Sequence, residues 1–398
     1  MPFPIGLTHG PPVGSRTPAG RDGLDEVAKN GVTFVRTGVP DWRGEFLDGQ
    51  ISEQRKLHTK LRQKGLKTWL WLGDLPDLPG PHPPNNEQML TKIVNAFKGD
   101  ASLLAWKAYD EPRNPFRGAD WIRPAGLVRA YEKIKALDPH HPVVLIHAPP
   151  SPVAHLRPYA AACDVSGADI YPIAYPPGLH AGGSNRDINV VGDIARKVRA
   201  AGGGKPFWLT LQVAWSGMTP SKDHPDRVPR FPSYPQERFM AYQAIVNGAR
   251  GLVFFGGHLT QITRPRDARV GWNWTFWDLV LRPLLAELTS TAVGPALVAP
   301  NATAKVSASA KDVELVARRD AQFLYLIAVR RGGATTRVGF SGLPAGIRDG
   351  QVLFEYVQDP LPPPIGAGRQ TFRTVDVANG AFRDWFGPHD VHVYRFGL

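Results

Sequence analysis

The chain has 398 residues, and 47 lysines and arginines against 35 aspartates and glutamates give it a formal net charge of +12. This length predicts two domains, or one large barrel with an appendage, because domains usually hold roughly 100–200 residues. Hydrophobic residues at 42% and charged residues at 21% exclude global disorder. The single cysteine, Cys163, excludes an internal disulfide framework and a Cys-rich metal site.

The sequence gives partial information on the cellular location of the protein and on its partners. No run approaches the roughly 18–20 apolar residues that a membrane span needs, so no span is expected. Residues 1–6 lack the charged and apolar regions of a signal peptide. Because the chain opens almost directly on a strand, we expect a secreted or periplasmic protein whose signal was removed, with a cytoplasmic location left open. The oligomeric state is not indicated.

The basic charge does not predict a nucleic-acid partner. Its densest cluster, residues 264–269, is interrupted by Asp267, and no zinc-finger or RNA-binding signature accompanies it. An acidic polysaccharide is the more plausible partner for this charge.

Strand-like and helix-like segments alternate as far as about residue 292. The predicted strands are Ile5–His9, Val32–Thr37, Lys67–Gly73, Leu103–Glu111, Val143–His147, Val165–Tyr171, Phe207–Val213 and Leu252–Gly256. Helical patterns lie between them, among them Ser52–Lys64, Asn86–Phe97, Pro124–Leu137, Asn189–Ala201 and Pro235–Gly248. Eight such strand–helix units predict an α/β fold, a (β/α)8 TIM barrel. A doubly wound sheet would usually show a Gly-rich phosphate turn after its first strand, and residues 8–12 do not form one.

The pattern changes after about residue 295. Strand-like segments at Val313–Ala317, Phe323–Val329, Thr336–Phe340, Val352–Tyr356 and Val391–Phe396 are joined by Gly, Pro and Asp turns. About a hundred such residues predict a small antiparallel β-sandwich. The expected domains are therefore a barrel over 1–294 and a sandwich over 295–398.

The C-terminal ends of the strands should carry the active site of such a barrel. Aromatic residues, carboxylates, and amide or imidazole donors converge there, and sugars need this mixture. The candidate substrate-binding residues are Arg36, Trp42, Trp71, Tyr109, His147, Tyr171, Gln212, Trp215, Glu237 and His258. Of the tryptophans Trp42, Trp71, Trp215 and Trp272, two are expected to contact ligand.

Five segments resemble those of clan-A-like glycoside hydrolases. Residues 106–112, Trp-Lys-Ala-Tyr-Asp-Glu-Pro, resemble the strand-four segment in which Asn-Glu-Pro or Asp-Glu-Pro carries the acid/base glutamate. Residues 34–38 resemble the strand-two arginine segment, 164–172 the strand-six segment, and 237–251 the helix leading into strand eight. Residues 382–394 are similar to the last strand of the β-sandwich appendage. The resemblance implies a carbohydrate substrate and a cofactor-free hydrolase with Glu111 as its general acid.

Glu111 also fits this role on physical grounds. Burial next to aromatic residues at a strand mouth raises the pKa of a glutamate, which protonation of a leaving group near neutral pH requires. The alternative is a loop carboxylate paired with Arg113 or Arg117.

The second carboxylate is not where the resemblance places it. Clan-A enzymes carry a nucleophilic glutamate at the end of strand seven, where this chain has Gln212, and an amide cannot form a glycosyl ester. Asp169 acting as general base would give inversion, and Asp110 orienting a substrate acetamido group would give substrate assistance. Two hypotheses remain. The barrel binds sugar without cleaving it, or another residue such as Glu237 is the nucleophile. No metal site is expected, since His9, His147 and His258 lie on separate strands.

Overall fold

The structure is a computed structural model. It describes residues 2–79, 86–114, 122–149, 151–175, 185–213, 222–223, 225–228, 230–256, 265–356 and 372–398. The chain divides into two compact units. The barrel unit holds residues 4–233 and 249–282, and the sandwich unit holds 1–3, 234–248 and 283–398. The predicted boundary at 294/295 placed residues 234–248 and 283–294 in the barrel, whereas in the structure they lie in the sandwich unit.

Eight parallel strands close into a barrel in sequence order, which confirms the predicted TIM barrel. The strands are β1 (Ile5–Leu7), β2 (Phe34–Gly38), β3 (Lys67–Trp71), β4 (Leu103–Asp110), β5 (Val143–His147), β6 (Val165–Asp169), β7 (Phe207–Gln212) and β8 (Leu252–Phe255). Each lies within about two residues of its predicted bounds, because continuous apolar runs between turn residues are a strong signal for buried parallel strands.

The α-helices among the described residues are α1 (Gly23–Lys29), α2 (Leu47–Gln63), α3 (Asn86–Phe97), α4 (Pro124–Leu137), α5 (Val153–Leu156), α6 (Val190–Ala201), α7 (Tyr234–Val246), α8 (Pro265–Val270), α9 (Trp274–Phe276), α10 (Arg282–Leu288) and α11 (Gly294–Val298). The described residues also include 3-10 helices at Gly44–Phe46 and Arg157–Ala162 and a π-helix at Trp277–Leu281. Within the described residues, no helix is long and apolar enough to cross a membrane.

Aromatic side chains fill the lower part of the barrel interior. Phe34 of β2, Trp69 of β3 and Trp208 of β7 contact one another, with ring centroids 5.2–6.0 Å apart. Gly6 of β1 makes room for this cluster, since a Cβ there would lie 2.2 Å from the Phe34 ring. Because side chains alternate between the two faces of a strand, the residues two positions further along point into the barrel mouth above this floor.

The sandwich unit contains two antiparallel sheets, which confirms the predicted β-sandwich. One sheet has the order β10-β11-β16-β13-β14 and the other β15-β12-β9. The strands are β9 (Ser307–Ala308), β10 (Val313–Arg319), β11 (Phe323–Arg330), β12 (Thr336–Ser341), β13 (Asp349–Tyr356), β14 (Phe372–Asp376), β15 (Ala381–Phe386) and β16 (Val391–Gly397). Residues 382–394 therefore belong to two strands rather than one, because residues 387–390 form a turn between them.

Helix α7 belongs to the sandwich unit and packs against β10, β11 and β16. This packing explains why nearly every residue of β11 is buried, since one face meets the sandwich core and the other meets the helix. Helix α7 is itself buried on most sides and therefore shows little amphipathic pattern. Its sequence predicted a barrel helix, and the partner surface was decided by the tertiary fold.

Candidate active site

A β-bulge in β4 determines which side chains enter the barrel mouth. In the pairing of β4 with β5, Lys107 is opposite Val144 and Asp110 is opposite Ile146, so β4 holds one extra residue. Without the bulge, Lys107 and Asp110 would point to opposite faces of the strand. With it, they share a face, and the Lys107 Nζ donates a hydrogen bond to Asp110 Oδ1. The bulge thus brings a buried cation and a carboxylate together.

Glu111 follows β4 in a strained backbone conformation. Its φ is +49°, in the left-handed region that few residues other than glycine adopt. The backbone N–H of Glu111 donates to Ile146 O at 2.9 Å, and Asn114 Nδ2 donates to its Oε2 at 2.5 Å. Residues held in such conformations cluster at functional sites, where the surrounding structure enforces them. The half-buried Glu111 carboxylate is therefore held in one place.

Asp169 ends β6 and is a carboxyl group with little tendency to ionise. Burial raises its pKa well above the ordinary value, and the nearby charges of Glu111 and Asp110 raise it further. A hydrogen bond from Tyr171 Oη to its Oδ2, 2.7 Å long, and the charge of Lys107 oppose this shift without cancelling it. Asp169 Oδ1 is buried without a hydrogen-bond partner among the described residues. Three carboxyl groups thus influence one another at this mouth.

Arg36 of β2 lies beside this group. Its Nη2 donates to His9 Nε2 at 2.6 Å, and its guanidinium lies 4.7 Å from the centre of the Trp71 ring. Because arginine only donates, His9 accepts through Nε2 and its Nδ1–H faces Thr8 Oγ1 at 3.1 Å. Burial lowers the pKa of Arg36, although the charges of Asp110 and Asp169 and the Tyr171 phenol raise it in part.

Lys107 is the second cation at the mouth. Its Nζ lies 4.7 Å from the centre of the Trp71 ring and 5.5 Å from that of Trp69. Burial lowers the pKa of Lys107, and the charge of Asp110 partly restores it. Two cations and three carboxyl groups therefore share the mouth. A proton donor and acceptor at one mouth suit general acid–base chemistry.

The described ranges contain no candidate metal site. No group of three or more His, Cys, Asp or Glu side chains there is arranged to hold a metal ion. The expectations of no cofactor and no metal therefore stay predictions.

The structure brings together six of the predicted residues: Arg36, Trp71, Asp110, Glu111, Asp169 and Tyr171. Tyr171 lines one side by stacking on Phe255 of β8, with ring centroids 5.0 Å apart.

Several predicted contact residues lie instead in the layer between strands and helices. Trp42 is 1% exposed and donates to Trp71 O, and Tyr109 is buried in the same hydrophobic cluster. His147 is buried against Tyr159, and burial lowers its pKa to about 4. The assignments of Trp42, Tyr109 and His147 to substrate binding are therefore corrected. Trp42 lies in the loop after β2, whereas Tyr109 and His147 lie on strands. Alternation along a strand places neighbours on opposite faces, and a sequence does not reveal which face is inside.

Gln212 also has a structural role in place of the predicted one. Its Oε1 accepts from Ile173 N at 2.9 Å and its Nε2 donates to Ile173 O at 2.7 Å, and the side chain is fully buried. The amide therefore braces the chain after β6. Trp272 is buried as well, with its Nε1 donating to His9 O.

Glu237 lies on α7, and both of its carboxyl oxygens are buried without a hydrogen-bond partner among the described residues. A substrate therefore does not reach it, and its assignments as substrate contact and as alternative nucleophile are corrected. Trp215 and His258 lie outside the described residues.

Lys107 was not among the predicted site residues, and His9 was placed at the end of the first predicted strand without a role in binding or catalysis. Lys107 had a visible signal, because a lysine inside an otherwise apolar strand must find a partner when it is buried. The position of His9 at the end of the first predicted strand was a signal, but its contact with Arg36 depends on the pairing of β1 with β2.

Comparison with known proteins supports the fold. No family model and no curated protein matches the sequence. A solved structure described as a glycoside hydrolase is similar at 14% identity and a TM-score of 0.61, covering 99% of this chain and 92% of that chain. A family 30 subfamily 8 xylanase from Clostridium acetobutylicum is similar at 12% identity and a TM-score of 0.54, covering 100% and 96%. An α-amylase from Geobacillus thermoleovorans is similar at 9% identity and a TM-score of 0.56, covering 94% and 90%.

These likenesses define the class of fold. The chain is a (β/α)8 barrel with a β-sandwich, an architecture that it shares with solved glycoside hydrolases. The resemblance seen in the sequence is thereby confirmed at the level of the fold, and no single family is identified.

Proposed function

We propose that the chain hydrolyses O-glycosidic bonds of an oligo- or polysaccharide, with Glu111 as general acid. The observation that carries the proposal is the group of carboxyl groups at the C-terminal mouth of the barrel, in which Glu111 and Asp110 raise the pKa of Asp169. Two carboxyl groups in unlike environments are what glycoside hydrolysis requires. The fold likeness to glycoside hydrolases supports the same class of activity.

In this proposal Glu111 protonates the leaving oxygen and Asp169 activates a water molecule on the opposite side of the sugar. A raised pKa makes ionised Asp169 a stronger base, which suits this role. The reaction then inverts the anomeric configuration, and the two carboxyl groups should stand about 6.5–9.5 Å apart. Asp110 forms an ion pair with Lys107. It is therefore poorly suited to orient a substrate acetamido group, as the substrate-assisted mechanism would require.

The electrostatics favour one alternative, in which the two roles are exchanged. Burial and the charges of Glu111 and Asp110 raise the pKa of Asp169 and so favour its protonated form, whereas Glu111 accepts a hydrogen bond from Asn114. Asp169 would then be the acid and Glu111 the base.

The leaving group distinguishes the two assignments. With Glu111 as acid, Glu111→Gln should lower turnover of a substrate with a poor leaving group about 10²–10⁴-fold, the usual contribution of proton transfer. It should spare an aryl glycoside with a good leaving group, whereas Asp169→Asn should inactivate both. If Asp169 is the acid and Glu111 the base, Asp169→Asn should spare the substrate with the good leaving group, and Glu111→Gln should inactivate the enzyme on both substrates. Near-normal turnover of both variants on the poor leaving group would contradict hydrolysis at this site, and Asp48→Asn, an exposed carboxylate on α2, is the control.

The pH profile gives a second test. If Asp169 is the base, activity rises with pH as Asp169 loses its proton, and the rising limb lies above the ordinary aspartate pKa of about 3.9. If Asp169 is the acid, its titration forms the falling limb. Proton NMR of the first anomer released then tests inversion, and retention would contradict the water-mediated mechanism.

A further inference from the structure

A groove of ≈ 800 Å³ lies in the sandwich unit and is lined by residues of both sheets. Its lining comes from β9, β12, β14 and β15, all within that unit. The strand alternation explains its composition. Val338, Phe340 and Phe382 point into the sandwich core, so their neighbours in β12 and β15 point outward.

An exposed tryptophan marks this outward face. Trp385 of β15 is 59% exposed, although an indole ring usually lies in a core. It stands directly opposite Arg337 of β12. An exposed aromatic ring on a flat sheet offers a platform for a ligand that has an apolar face.

Gly339 of β12 has no side chain, so the sheet surface near this ring is flat at that position. It pairs with Arg383 of β15, and its backbone N–H donates to Ser309 Oγ at 2.9 Å. A Cβ at position 339 would lie 3.6 Å from Ser309 Oγ, 3.8 Å from Ser309 Cβ and 3.9 Å from Arg383 Cγ, all ordinary contact distances. A side chain would therefore fit at position 339 without a steric clash, and its absence leaves the groove open.

The charges of the groove are predominantly positive. Arg337 and Arg383 are exposed and form no ion pair with any described carboxylate, whereas Arg373 is neutralised by Glu355 and Asp384. Asp376, at the end of β14, is the lining carboxylate that Arg373 does not hold. The groove thus presents two available guanidinium groups beside an aromatic ring.

We propose that this groove binds acidic polysaccharide chains, independently of hydrolysis in the barrel. The Trp385 ring stacks on the C–H face of a sugar, and Arg337 and Arg383 bind its carboxylate or sulfate groups. Hydroxyl groups of Ser307 and Ser341, 3.2 Å apart, line the same groove. A sugar chain is favoured over a nucleic acid because single-stranded nucleic acids are bound by several stacked aromatic residues, and Trp385 is the sole exposed ring among those lining this groove.

Affinity gel electrophoresis of the full-length chain tests the proposal. The probes are polygalacturonate for carboxylates, dextran sulfate for sulfates and dextran as neutral control. Trp385→Ala should weaken binding to an acidic probe about tenfold, the loss typical of a central aromatic contact, and Trp385→Phe should restore part of it. The two acidic probes show which anion is preferred.

Matched variants separate a built groove from general charge. The double variant Arg337→Ala/Arg383→Ala should lose binding, while Lys311→Ala/Arg348→Ala, with the same charge change at other exposed positions, should not. Gly339→Val should block the groove without removing a contact, and Asp376→Asn should strengthen binding. All these variants should hydrolyse a short aryl glycoside as the wild type does, so failure of the groove and failure of the barrel are distinguishable.

Three results would overturn the proposal. The first is equal loss of binding in both double variants. The second is equal retardation by dextran and by the acidic probes. The third is tighter binding of a single-stranded DNA oligonucleotide that depends on Trp385.

Discussion

The barrel mouth and the sandwich each hold a cluster of buried and half-buried charges, and they differ in how those charges are compensated. In the sandwich, Arg373 donates to Glu355 at 2.6 and 2.9 Å and to Asp384 at 2.8 and 3.0 Å. Burial opposes the ionisation of Asp384, but the hydrogen bond from Arg373 and the charge of His392 outweigh it and lower its pKa. The pKa of Glu355 is lowered in the same way by His392 and Arg373.

At the barrel mouth the balance has the opposite sign. Burial and two like charges raise the pKa of Asp169, and neither cation there is paired with it. A cluster that serves stability satisfies its charges, whereas a cluster that leaves a proton mobile is typical of a functional site. The contrast predicts that substitutions in the two clusters will respond differently to pH.

The largest effect is expected from Lys107→Met in the barrel. It leaves the Asp110 carboxylate without its cation next to two further carboxyl groups, which should cost about 3 kcal/mol of unfolding free energy. Urea denaturation at pH 7 measures this. The double variant Lys107→Met/Asp110→Asn should recover most of the loss, because removing both charges of a buried pair is often tolerated. A double variant no more stable than the single one would show that packing, and not charge, is responsible.

A smaller loss, about 2 kcal/mol at pH 7, is expected from Arg373→Met in the sandwich. Since the folded-state pKa values of Glu355 and Asp384 are lowered, their contribution to stability is present above the unfolded values of about 3.9–4.3. It disappears as the pH falls through the lowered folded values. The difference from wild type should therefore shrink below about pH 4. A loss of the same size at pH 3 and pH 7 would contradict this, and Arg348→Met is the exposed control.

The smallest change, a gain of about 1 kcal/mol at pH 7, is expected from Glu237→Gln. Both carboxyl oxygens of Glu237 are buried without hydrogen-bond partners in the described structure, and burial raises its pKa well above the ordinary value. An acid of this kind destabilises the folded state as the pH rises from the unfolded value of about 4.3 towards the raised folded one. The advantage of Glu237→Gln should grow over that range and be absent at pH 4. Glu53→Gln, an exposed carboxylate, should show no such trend.

The sequence by itself determined the architecture and the central acidic residues. Buried parallel strands read as apolar runs, and antiparallel strands separated by turns read as alternation, so both folds followed from hydrophobic patterning. Asp110, Glu111 and Asp169 were located because they lie at or within two residues of the ends of predicted strands, and strand ends meet at one edge of a barrel. Short strands such as β9, and β14 and β15 with their mixed polar composition, carried too weak a pattern.

The tertiary structure alone decided which side chains face the mouth. The bulge in β4 placed Asp110 beside Lys107, and a bulge is a shift in pairing between two strands that neither sequence specifies alone. Alternation turned His147 and Tyr109 away from the mouth, since a displacement of one residue exchanges the two faces of a strand. Helix α7 and Glu237 went to the sandwich unit for a similar reason, because an apolar helix does not specify its partner surface.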